Sequence, residues 1–196
     1  MSRFKLRISV LSAAVAVVTV LSATSCVDPT ATKAQFNTDS ARVEVFALNG
    51  STPGLPSAIR TRTIVAVSVG GDFNFDVAFD LGPAGEVIAY TPRMVASELV
   101  GVRRVGLLLA DGPFESFIKA PTSGYKYDSL LTIPAGKLLL VDVVEPACIN
   151  LSILGPNVRS KLQVDSVDLA RRAIYLRVLS NPNCGFRDLV PGLPKE

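Results

Sequence analysis

The stretch Asp72-Phe73-Asn74-Phe75-Asp76-Val77-Ala78-Phe79-Asp80-Leu81 decides the fold. Every odd-numbered position in it is large and apolar, and every even-numbered one is Asp, Asn or Ala. A period of two belongs to an extended strand with one face on a core and the other toward water. The pattern predicts a strand over 72–81. Phe73, Phe75, Val77, Phe79 and Leu81 point inward, and Asp72, Asn74, Asp76, Ala78 and Asp80 form a solvated face.

Working outward, Gly82-Pro83-Ala84-Gly85 turns the chain into 86–90, the expected hairpin partner. Similar short runs, cut by Gly, Pro, Asn and Asp, fall at 42–48, 62–69, 102–109, 114–119, 128–133, 137–144, 148–154, 162–167 and 173–179. Between them, 94–100 fits a helical turn or a continuing strand equally. Pro134-Ala135-Gly136 is expected to close a hairpin between 128–133 and 137–144, with glycine free to take positive φ. Leu138-Leu139-Leu140-Val141-Asp142-Val143-Val144 is apolar enough for a central strand covered on both faces. Short strands at this spacing predict an all-β chain folded as an antiparallel β-sandwich, immunoglobulin-like or related, with a partly open β-barrel as the alternative. The immunoglobulin domain proper is disfavoured, because it needs a tryptophan near its disulfide and this chain has none.

The N-terminus reads differently. Arg3, Lys5 and Arg7 precede an uncharged run from Ile8 to Ala23 rich in Val, Ala and Leu, the n-region and h-region of an export signal. The run is short for a transmembrane helix, which needs about 20 apolar residues. It leads into Leu21-Ser22-Ala23-Thr24-Ser25-Cys26, which resembles the lipobox of bacterial lipoproteins, although Ala23 stands where that family usually has leucine. The resemblance implies cleavage before Cys26, a lipid on its sulfur and attachment to the cell membrane or outer membrane, facing away from the cytoplasm. Ala23-Thr24-Ser25 also has the small-x-small form of ordinary signal-peptidase cleavage, which gives a soluble secreted protein instead. The expected organisation is a signal at 1–25, a flexible tether at 26–40, one domain at 41–187 and a tail at 188–196.

Removing residues 1–25 takes away three of 20 basic side chains and none of the 17 acidic ones, so 17 of each remain. The excess positive charge belongs to the signal and gives no reason to expect a nucleic-acid partner. With Cys26 carrying lipid, Cys148 and Cys184 are expected to pair as a disulfide, which persists outside the cytoplasm. They lack the short spacing and the histidines of a metal or redox site.

Histidine is absent altogether, which removes the commonest general base, the usual serine and cysteine triads and most catalytic zinc sites. No nucleophile elbow, P-loop or dinucleotide fingerprint occurs. Carboxylate pairs remain as the machinery of a hydrolase such as a glycosidase. Asp76 and Asp80, four residues apart on an extended strand, would stand roughly 13 Å from each other, too far for such a pair. Asp72-x-Asn74-x-Asp76 has the opening spacing of a calcium loop, but Val77 replaces its glycine. Tyr125 and Tyr127 are the candidate ligand-binding residues, two apart and able to stack on a sugar or peptide from one side of a strand. Arg103-Arg104 and Arg171-Arg172 read as solvated turn pairs balanced by Glu98 and Asp168. The expectation is a non-catalytic domain without cofactor, binding a protein or glycan or serving structurally in the envelope.

Overall fold

Val77, Phe79 and Leu81 do line a core, and a β-sheet lies on either side of it. The computed structural model describes residues 32–70, 73–96 and 103–195. In chain order these form β1 (Asp39–Phe46), β2 (Ala58–Arg60), β3 (Val65–Val67), β4 (Val77–Leu81), β5 (Val87–Tyr90), the single turn α1 (Pro92–Val95), β6 (Val105–Ala110) and β7 (Lys126–Tyr127). Then come β8 (Leu130–Ile133), β9 (Leu138–Val144), a 3-10 turn at Pro146–Cys148, β10 (Asn157–Asp168) and β11 (Ala173–Asn181). The six-stranded sheet runs β1-β11-β10-β9-β6-β7 and the five-stranded sheet β3-β2-β4-β5-β8, every pair antiparallel. Among the described residues no ladder joins one sheet to the other, so the fold is a β-sandwich and not a barrel.

The sandwich core follows from alternation on both sheets. Val45, Leu139, Val141, Val143, Leu162, Ile174, Leu176 and Val178 from the larger sheet meet Ile59, Val77, Phe79, Leu81, Val87 and Ile133 from the smaller. β9 is central and covered on both faces, as its composition implies. Leu139, Val141 and Val143 enter the core, while Leu138 and Leu140 lie under Phe114, Ala120 and Leu189.

The deciding stretch departs from expectation at its start. The strand begins only at Val77, because Phe73 takes φ 45° and turns the backbone out of the extended region. Phe75 drops out of the stripe and joins Ala58 and Ala78 in a cluster on the outer side of the smaller sheet. That cluster covers the face expected to be wet: Asp76 is 0% exposed and Asp80 6%. Asp72 lies outside the described residues.

The predicted hairpin at Pro134-Ala135-Gly136 is not one. Both neighbours of β9 are taken, by β6 and β10, so β8 pairs with β5 in the opposite sheet and the turn crosses between layers. Two expected strands are turns. Residues 114–116 form a turn after Pro113, and Pro146 opens the 3-10 turn that carries Cys148, so 148–154 is a loop. Conversely, β2 and the first half of β10 were hidden. Arg159 and Lys161 look like a solvent face, yet both are buried because 112–125 and 183–190 fold over that side. Of the ambiguous stretch, Met94 and Val95 belong to α1, and 97–102 lies outside the described residues.

Tether and tail are tied down more than expected. Asn183 accepts the amides of Gln35 (2.8 Å) and Phe36 (3.0 Å) and donates to the Phe36 carbonyl (2.7 Å), and Thr38 bridges Gly192. Leu189 in the tail is fully buried.

Cys148 and Cys184 are bonded, as expected, and fasten the loop after β9 to the segment after β11. The bridge spans 36 residues. Restraining the unfolded chain over such a loop is worth roughly 3–4 kcal/mol. Reduction, or Cys184→Ser, is therefore expected to lower Tm by roughly 10 °C in differential scanning calorimetry.

Candidate functional site

At one end of the sandwich a single guanidinium joins the two sheets. Asp76 precedes β4, and its amide donates to the Ile59 carbonyl (2.9 Å), which turns the side chain toward Thr61. The amide and hydroxyl of Thr61 donate to Asp76 Oδ2 at 2.7 and 2.9 Å. Arg103, just before β6, donates to Asp76 Oδ1 at 3.1 Å and, with its other terminal nitrogen, to Glu145. Glu145 directly follows β9, caps the 3-10 turn through the Ala147 amide and has Arg62 at 3.8 Å. Burial pushes the Asp76 carboxyl above the ordinary aspartate range, against the pull of Arg103 and the Thr61 bonds, and the Glu145 charge adds to the rise.

The remaining buried acids are held alike. Asp80 faces Arg172 at 3.3 Å and accepts from the Asn49 amide and side chain. Asp142, on the outer face of β9, lies 3.0 Å from Arg159 and accepts from Asn157 Nδ2 and from the Tyr127 hydroxyl at 2.7 Å. Arg159 also donates to the carbonyls of Gly185 (3.0 Å) and Phe186 (3.3 Å). Arg pairs suit such sites because the planar fork serves several acceptors at once.

The two candidate tyrosines do come together on one face. Gly106 makes room for them, since a Cβ there would lie 2.8 Å from both Tyr125 and the Tyr127 ring. Arg104 caps the Tyr127 ring at 4.2 Å. Burial, then the bond to Asp142, push the Tyr127 phenol up to about 12, and burial raises that of Tyr125 as well. The Tyr125 hydroxyl is buried with no hydrogen-bond partner among the described residues.

Of the two arginine pairs, Arg104 and Arg171 are exposed as expected, and the Arg171 amide donates to Asp168 (3.0 Å), but Arg103 and Arg172 are drawn into the fold. Arg103 is mostly buried, Arg172 reaches the Asn49 carbonyl (2.7 Å) and Asp80, and Arg171 pairs with Glu44 at 3.0 Å. Of the calcium spacing, Asp76 is committed to Thr61 and Arg103, Asn74 gives its carbonyl to Arg60, and Asp72 is not described. Among the described residues no group of three or more Cys, Asp or Glu is arranged to hold a metal ion. Cys26 and Glu98 are likewise outside the described residues.

Sequence reasoning missed Arg62 and Glu145 and took Arg103 for a solvated turn residue. A signal existed for Glu145: like Asp142, it interrupts an otherwise apolar run, and an acid in such a place needs a cation. Nothing in the sequence says which arginine supplies it.

Beside this network lies an open cleft of about 320 Å³ lined by Lys33, Phe36, Arg62, Leu151, Asn183 and Cys184, among others. A second, of about 540 Å³, sits between 50–55 and the β10–β11 turn, floored by Phe46 and Arg172. Comparison with protein-family models, with curated proteins and with solved structures finds no match for this chain.

Arg103→Met leaves Asp76 and Glu145 buried without their shared cation and is expected to cost about 3–5 kcal/mol in urea unfolding. Adding Asp76→Asn and Glu145→Gln to it is expected to restore part of the loss. Because the folded Asp76 carboxyl keeps its proton to higher pH than in the unfolded chain, stability from this group is present below about 3.8 and lost as pH rises through the folded value. Asp76→Asn removes that dependence. Urea midpoints measured from pH 4 upward are expected to fall for the native chain relative to the variant.

Proposed function

We propose that this chain is a membrane-anchored extracytoplasmic lipoprotein whose β-sandwich binds or builds in the cell envelope and performs no catalysis. The anchor half rests on the basic n-region, the short apolar run and the lipobox-like segment ending at Cys26.

The non-catalytic half rests on one observation. Each buried carboxylate among the described residues, Asp76, Asp80, Asp142 and Glu145, has an arginine within ion-pair distance and accepts at least one structural hydrogen bond. A glycosidase needs two carboxyls facing a shared cavity with room for sugar and water. The aromatic and basic cleft around Phe36, Arg62 and Leu151 offers an envelope protein or glycan stacking and charge without an acid–base pair.

Intact-mass spectrometry of the chain purified from a lipoprotein-processing bacterial host tests the anchor. The expected product begins at Cys26 with a diacylglyceryl mass added, and an unmodified N-terminus overturns it. Hydrolysis of a polysaccharide that disappears in Glu145→Gln would overturn the non-catalytic reading.

A further inference from the structure

The loop between the 3-10 turn and β10 presents aliphatic side chains to solvent in an unusual concentration. Ile149, Leu151, Ile153 and Leu154 are all exposed, Leu151 by 77% and Ile153 by 86%. Single exposed leucines are ordinary, but four in six residues are not. No charged residue occurs anywhere between Glu145 and Arg159.

The loop is braced rather than slack. The disulfide fixes its start, the Ser152 hydroxyl donates to the Cys184 carbonyl (2.9 Å), and the Leu154 amide donates to the Ser152 oxygen (3.1 Å). Gly185, at φ 81°, lies so close to Leu154 that a Cβ would stand 2.5 Å from its backbone. A scaffold that holds four aliphatics outward presents them to something apolar.

The position of the N-terminal segment says what. Thr32, Lys33 and Phe36 line the same cleft as Leu151, and Phe36 is itself 53% exposed. Cys26 precedes Thr32 by six residues, a contour of at most about 20 Å. An acyl chain on Cys26 therefore keeps this end of the sandwich within reach of a bilayer at every moment, at high effective concentration.

We propose that the loop 149–154, together with Phe36, seats in the interfacial layer of the membrane that carries the anchor, with Lys33 at headgroup level. The inference rests on the lipoprotein reading above. The two acyl chains of the diacylglyceryl group hold the chain at the membrane, and a short apolar wedge adds an interfacial contact that sets how the domain lies on it. A second copy of the chain is the poorer occupant, because a six-residue loop is small against the roughly 800 Å² per partner of a stable interface.

The chain has no tryptophan, so one introduced residue reports without background. Ile153→Trp probes the loop. Leu169→Trp, beyond the far end of β10 and 62% exposed, is the control, roughly 40 Å away along a strand of twelve residues. Each variant is purified in full-length processed form, its N-terminus checked by mass spectrometry, and reconstituted into phosphatidylethanolamine–phosphatidylglycerol vesicles containing brominated lipid.

The expected result is blue-shifted emission at 153 with at least about threefold stronger bromine quenching than at 169. Leu151→Asp with Ile153→Asp is expected to leave the lipidated chain floating with vesicles but to weaken binding of a Cys26→Ser chain about tenfold or more. Water-like, unquenched emission at 153 on a chain that floats and carries the lipid overturns the seating and leaves the anchor standing. An unmodified N-terminus overturns the anchor, and with it the seating. A blue shift that appears without lipid and grows with protein concentration assigns the loop to a second copy and overturns the membrane as its occupant.

Discussion

Both faces of β9 and of the first half of β10 are covered, and this double burial dictates much of the rest. The inner face meets the smaller sheet through Val141, Val143 and Leu162. The outer face is roofed by 112–125 and 183–190. A strand with water on neither side has to satisfy its polar side chains inside the protein. Asp142 does so with Arg159, Asn157 and Tyr127. Lys161 does so by donating to the Phe114 and Phe117 carbonyls at 2.5 and 2.8 Å beneath the Phe114 ring, and burial lowers its pKa accordingly.

The same constraint explains what could be read from the sequence and what could not. Val77, Phe79 and Leu81 were legible as core because alternation is a local property, and β9 because an unbroken apolar run has few other homes. The solvated face assigned to Asp76 and Asp80 was not recoverable. Their cover comes from Leu48, Tyr90 and Val95, and their cations from Arg103 and Arg172, at separations in sequence that no period encodes. The Pro134-Ala135-Gly136 turn misled for a related reason. Turn chemistry says where the chain reverses, and only competition for the edges of β9 says which sheet it returns to.

At the end of the sandwich, Arg103 links a carboxylate of each sheet. Such a pair adds little net stability over a well-packed apolar alternative, but it penalises any slide of one sheet on the other, since either carboxylate would be left buried and alone. The network thus helps fix register between layers that are otherwise tied by few backbone hydrogen bonds, such as that from the Leu48 amide to the Phe79 carbonyl (2.9 Å). Its neighbour, the braced loop at 149–154, depends on the same junction, because Glu145 caps the turn that leads into it.

The way the N-terminus enters has a mechanical side. A pull on the residues before Thr32 is carried first by three hydrogen bonds to Asn183 and by the Thr38–Gly192 bridge. Behind these lie the eight registered pairs of β1 with β11. Force directed along β1 loads those pairs in parallel, as a shear and not a peel, and Asn183 transmits part of it to the residue beside Cys184, whose bond cannot yield to tension of this kind. A load applied ahead of Thr32 thus meets its strap where the strain arrives.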